Sequence, residues 1–191
     1  MKKWILLLIP VVLLITFYKV YADGYRVTAL GAAKSNHFIA DDVSLIDHYK
    51  LGSDDVYLFK SDKKEEYQTA SATKSGFLYT SRVLVYWPYH EDEIETVGWL
   101  SSSSGTLLSV VSHDEDVAYI EAGNGTNRKR IETEKGKRIT FTFTPKNRSN
   151  NLNPVAYNKE GEKLYYYGFP ETNTPHQSTK DIKWHKVDSE S

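Results

Sequence analysis

Hydrophobic positions along the chain fall into three regimes. Residues 4–18 read WILLLIPVVLLITFY, an unbroken apolar run introduced by Lys2 and Lys3, and a helix apolar on every side belongs in an apolar medium. In residues 25–38 the apolar positions Ala29, Leu30, Ala32 and Ala33 recur at helical spacing. Thr28 stands where a capping side chain is wanted, so a short helix is predicted there, weakened by Gly31. Beyond Asp42 the period changes to two. Residues 44–49, 56–60, 67–74 and 77–87 read as strands, separated by Gly52-Ser53-Asp54-Asp55 and Ser61-Asp62-Lys63-Lys64, and Pro88 ends the last.

The second half alternates most clearly. In residues 138–144 Ile139, Phe141 and Phe143 share one face and Thr140, Thr142 and Thr144 the other, the pattern of a half-buried antiparallel strand. A slip of one residue would bury the threonines. Glu134-Lys135-Gly136-Lys137 precedes it as a turn, and Asn124-Gly125 predicts a hairpin between residues 117–121 and 130–134. Residues 154–158 and 162–169 form a further predicted hairpin, with Gly161 where a positive φ is wanted. Residues 170–177 read as a loose polar stretch, while Ile182 and Trp184 can return as a final strand. The expected fold is mainly β: an antiparallel β-sandwich-like domain with one short N-terminal helix, preceded by a single hydrophobic anchor or signal helix. The expected organisation is a leader at 1–22, a β-rich domain at 23–175 with a possible sub-boundary near 107, and a polar tail at 176–191.

The leader decides location. Fifteen residues of helix reach about 22 Å, and adding Lys19, Val20 and Tyr21 gives about 27 Å against a hydrocarbon core of about 30 Å. Val20-Tyr21-Ala22 followed by Asp23 also fits a signal-peptidase cut after Ala22. Both readings place the rest of the chain outside: single-pass in the cell membrane through residues 4–21 with the C-terminal domain exterior, or secreted. No second apolar segment predicts a C-terminal anchor. The 191 residues include no cysteine, which removes disulfides, thiolate metal sites and cysteine nucleophiles. Formal net charge is −1, and with Lys2, Lys3 and Lys19 set aside the remainder has 21 basic against 25 acidic residues, which excludes a nucleic-acid partner of the usual basic kind.

Catalytic patterns are weak. Ser71-Ala72-Thr73-Lys74 followed by Ser75-Gly76 imitates the S-x-x-K and K-T-G boxes of penicillin-binding enzymes, but those boxes need distant positions, and a plain strand and turn is the better reading. Ser101 to Ser104 before Gly105 lacks the G-x-S-x-G frame and reads as a flexible loop. The six histidines form no close ligand pair. His113-Asp114-Glu115-Asp116 and Glu91-Asp92-Glu93 read as solvated acidic turns rather than calcium loops. No catalytic residue, metal or cofactor is predicted. Asn124-Gly125-Thr126 and Asn147-Arg148-Ser149 match glycosylation sequons only by pattern.

Two groups remain as binding candidates. Trp87 and Tyr89, with Tyr165 and Tyr167, stand in aromatic clusters on or just after predicted strands, and rings turned outward can stack on a sugar or a partner. Core packing is the competing account. Arg128, Lys129 and Arg130 form the one basic patch, which meets an anionic polymer or headgroup unless Glu132 and Glu134 engage it across the hairpin.

The wording HDEDVAYIE, RITFTFT and AYNKEGEKLYYYGF within residues 112–168 resembles the exported part of small proteins of Gram-positive bacteria that have one N-terminal hydrophobic segment. That resemblance implies an extracytoplasmic domain and brings no activity with it. The expected function is an extracytoplasmic, membrane-associated binding or interaction module without catalysis, meeting a cell-envelope polymer or another envelope protein. The alternative is a secreted or anchored hydrolase of wall or other carbohydrate polymers working through scattered carboxylates.

Overall fold

The computed structural model describes residues 2–90, 92–144, 152–170 and 182–187, with side chains from Ile9 onward. The fold is mainly β, with antiparallel sheets and helices at the N-terminus. Helix α1 is Lys2–Ala22 and α2 is Ala29–Lys34, whose Thr28 cap accepts from the Gly31 amide at 3.1 Å. Among the described residues no helix is long and apolar enough to cross a membrane.

Strands β1 (Ser44–Leu51), β2 (Asp54–Ser61), β3 (Glu66–Ser75) and β4 (Leu78–Pro88) make a four-stranded meander. Strands β5 (Ile94–Ser102) and β6 (Gly105–Ser112) join β9 (Arg138–Phe143) in a second sheet. The third contains β7 (Tyr119–Ala122), β8 (Lys129–Glu132), β10 (Val155–Tyr157), β11 (Lys163–Gly168) and β12 (Lys183–Lys186), in the order β12-β11-β10-β7-β8.

Alternation assigns each face its neighbour. On β2, Tyr57 and Phe59 pack with Ala32 and Ala33 of α2, whereas Val56 and Leu58 meet Leu100 and Leu107 of the second sheet. Ile139, Phe141 and Phe143 are buried as their spacing predicts, in the largest core, with Ile120, Ala156 and Trp184 of the third sheet. The predicted turn at Gly136 and the positive φ of Gly161, 85°, are both found.

Three local expectations change. Asn124-Gly125 does join two antiparallel strands, but through a short 3-10 turn, Gly125–Asn127, rather than a two-residue turn, with Gly123 also at positive φ. The serine run is not a flexible loop. Ser101 and Ser102 end β5, and buried Ser104 packs on the β1–β2 turn, its hydroxyl 3.2 Å from that of Ser53. Ser71 and Lys74 stand three apart on a strand and so face opposite ways: Ser71 is buried and Lys74 exposed, which leaves the pair no shared chemistry. Residues 171–181, the sequon at Asn147, Glu91 and the final Asp188-Ser189-Glu190-Ser191 lie outside the described residues.

The polar face of β9 is tied to the first sheet. The Arg138 guanidinium donates to Asp47 Oδ2 at 2.5 Å and to the Tyr49 hydroxyl at 2.6 Å, and Thr140 sits 2.9 Å from Tyr49. The Arg138 hydrogen bond holds the Asp47 carboxyl below its ordinary value of 3.8. Because the folded value is the lower one, this contribution is complete above 3.8 and is lost as pH falls through the folded value. An Asp47→Asn variant is therefore expected to be less stable than the wild type at neutral pH, the two converging in acid. Urea midpoints measured against pH check this, and a constant gap would remove the ion pair from the account.

Candidate functional site

The first, second and third sheets each bring an aromatic strand to one place. Trp87 lies one residue before the end of β4, opposite Tyr67. Tyr167 on β11 and Trp184 on β12 are direct cross-strand partners, so their rings are neighbours by register. Trp99 reaches them because β5 carries a bulge: pairing jumps from Thr96–Val110 to Gly98–Ser109, leaving Val97 without a partner. One extra residue reverses the parity of all that follows, turning Trp99 to the side of Ile94 and Thr96.

The rings form a chain. Trp87 stacks on Trp99 with centroids 6.4 Å apart, Trp99 meets Tyr167 at 5.0 Å, and Tyr167 meets Trp184 edge-on at 5.8 Å. On one side Trp87, Tyr167 and Trp184 border a cleft of about 640 Å³ with Ile94, Ile182 and His90 at its walls. On the other, Trp87, Trp99, Tyr167 and Ile182 border a shallower one of about 650 Å³ with Phe169. Both volumes suit a small ligand or one or two units of a polymer.

Polar groups here are few. Trp184 Nε1 donates to Thr96 Oγ1 at 3.2 Å, which fixes that ring. Trp87 Nε1 is buried and has no hydrogen-bond partner among the described residues. A buried donor left unpaired costs about 1–3 kcal/mol, and a ligand can relieve that cost only where the ring shifts to open the N–H. Burial is the cause that pushes the Tyr167 hydroxyl up to about 12. Asp92 is the cleft's described carboxylate, and the two-carboxylate arrangement of a glycosidase is not assembled among the described lining.

Of the residues singled out from sequence, Trp87 and Tyr167 are brought together here. Tyr165 is 2% exposed, and its hydroxyl bonds Asp114 Oδ2 at 2.7 Å, so this ring is core rather than surface. Tyr89 lies on Tyr67, with its hydroxyl on the Ser61 carbonyl. The basic patch is engaged within the fold. Arg128 pairs with Glu121 at 2.7 Å, Lys129 Nζ bonds the Thr142 carbonyl, and Arg130 pairs with Glu132 while lying 3.5 Å over the Tyr119 ring. His113-Asp114-Glu115-Asp116 is a structural turn in which Asp114 also accepts from the Asp116 amide. Among the described residues no three histidines or carboxylates gather as a metal site.

Trp99, Trp184, Ile182 and Thr96 escaped the sequence reading of the site. The bulge hid the side on which Trp99 emerges, and nothing local to Trp184 says that it pairs with Tyr167. No protein-family model matches the chain, and neither a curated protein nor a solved structure is significantly similar to it.

Proposed function

We propose that the chain is a binding module at the outer face of the cytoplasmic membrane, that its aromatic cleft takes a cell-envelope glycan, and that it acts without catalysis. The observation that carries this reading is the chain of four rings, of which Trp87, Tyr167 and Trp184 border one cleft and Trp87, Trp99 and Tyr167 the other. A pyranose ring offers flat C–H faces to stack on these rings and hydroxyls for the polar groups at the cleft walls. Association with the membrane is supported by α1, whose side chains from Val11 to Ile15 are apolar and exposed on successive residues, hence on all sides of the helix.

Three of the chain's four tryptophans stand at the cleft, so intrinsic fluorescence reports on it directly. Titrating the full chain with soluble peptidoglycan glycan fragments is expected to give a saturable shift. Trp87→Ala removes a ring that borders both clefts, worth about 1–3 kcal/mol, and should weaken binding about five- to 150-fold. No saturation with any wall glycan would sink the reading, and release of shortened glycan would replace it with the hydrolase.

A further inference from the structure

Phe77 is the most exposed large apolar side chain in the described domain, at 97%, and it stands at the tip of the β3–β4 hairpin beside Gly76 and near Lys74. A lone exposed phenylalanine is unremarkable; its position relative to α1 is what matters. Just after α1 the backbone of Arg26 pairs with that of Tyr79, N to O in both directions at 2.9 and 2.7 Å. Arg26 also reaches back to the helix: its guanidinium donates to the Tyr21 carbonyl at 2.7 Å and lies 3.8 Å over the Tyr21 ring. The end of α1 is thus clamped to the first residues of β4 rather than hung on a linker. Phe77 is two residues from Tyr79, roughly 7 Å along the strand, and Val27, next to Arg26, is 77% exposed.

We propose that this hairpin tip is a second membrane contact: Phe77 and Val27 enter the headgroup–acyl boundary of the bilayer that holds α1, and Lys74, Arg26 and Lys19 meet its anionic headgroups. The inference rests on the proposed membrane association of α1. An apolar helix and an apolar tip joined through one clamped pair have a common solvent, and a lipid surface supplies apolar depth and negative charge together. The consequence is orientation. From Leu78 to Trp87, β4 takes nine steps, at most about 30 Å, so a tip seated on the bilayer with the strand upright presents the aromatic cleft up to that far above it, toward the envelope.

The chain has no cysteine, so a single introduced thiol reports one site. Phe77→Cys, Leu13→Cys and Glu160→Cys, each carrying an environment-sensitive fluorophore on the full chain, are reconstituted in vesicles of phosphatidylglycerol and phosphatidylcholine with bromine-labelled acyl chains. The probe at 77 should be blue-shifted and quenched several-fold more by the brominated lipid than the probe at 160, on the exposed β10–β11 turn. The substitution at 77 touches no core residue, and unchanged circular dichroism confirms the fold. A probe at 77 as wet as that at 160, with Leu13 quenched, overturns the tip contact and leaves membrane association standing. A blue shift at 77 without lipid quenching assigns the tip to a second copy of the chain and overturns it as well. An unquenched Leu13 removes the membrane reading itself.

Discussion

Phe141→Ala is expected to destabilise the domain by about 3–5 kcal/mol, a fall in melting temperature of about 6–20 °C for a chain of this size. Phe141 is fully buried at the centre of β9, paired with Leu108 of β6, in the core that joins the second and third sheets. Truncation removes the ring's transfer free energy and leaves a cavity among Ile120, Ala156 and Leu108, all held by strands whose registers are fixed on both sides and which collapse poorly into the gap. The neighbouring Thr142 lies on the other face and is only half-buried, so Thr142→Ala should cost less than about 1 kcal/mol. Urea unfolding followed by fluorescence gives both values. Should alanine prevent folding, Phe141→Leu serves, with a smaller loss in the same direction. Equal effects at 141 and 142 would mean that β9 is not faced as described. No cleft residue lies on β9, so the folded Phe141 variants should bind as the wild type does.

β9 could be read from sequence because one face meets core and the other a polar network, and period-two alternation survives such asymmetry. The strands of the first sheet were legible from the turn residues that bound them, since β2 is covered on both faces, by α2 and by the second sheet, and Thr28 announced α2. β5 and β6 were not, and each failed for a physical cause. β6 reads Gly-Thr-Leu-Leu-Ser-Val-Val-Ser and is covered on both sides, Leu107 facing the first sheet and Leu108 the third, so no alternation is left to see. β5 carries the bulge at Val97, across which a period of two cannot be followed.

The same limits shaped the reading of the site. Tyr165 and Tyr167 share a face of β11 by parity, yet Tyr165 is sealed beneath Asp114 while Tyr167 borders the cleft. Parity gives the face of a sheet; what covers that face depends on chain that is remote in sequence. The charges of Arg128 and Arg130 were equally visible, but their partners, Glu121 and the Tyr119 ring, belong to the pairing of β7 with β8. A cleft made from strands of three sheets therefore has to be seen folded. Its raw material, aromatics on strands, was plain beforehand.

Gly105→Ala is the second substitution expected to be severe, with a loss of about 3 kcal/mol or more from backbone strain and steric displacement together. Gly105 opens β6 at φ 136°, a conformation that is nearly closed to side chains. A Cβ there would be driven onto the carbonyl oxygen of Phe143, part of the β6–β9 ladder, and would lie 2.9 Å from Leu51 Cδ1. Neither obstacle is a freely moving chain end: one is backbone, the other the buried tip of β1. Gly136 is the control, since its φ of 76° is also positive but a Cβ would meet nothing within 4 Å. Gly136→Ala should then cost only the conformational penalty, about 1–2 kcal/mol. The excess of the first loss over the second reports the close packing of Gly105 against Phe143 of β9 and Leu51 of β1 together with its more restricted φ, and equal losses would mean that this packing is not there. That turn ends the hairpin carrying Trp99, whose place depends on where β5 lies against Leu58 and Thr69 through the bare α-carbon of Gly98. A displacement at Gly105 should consequently reach the cleft, and glycan affinity should fall in any Gly105→Ala protein that still folds while staying unchanged in Gly136→Ala.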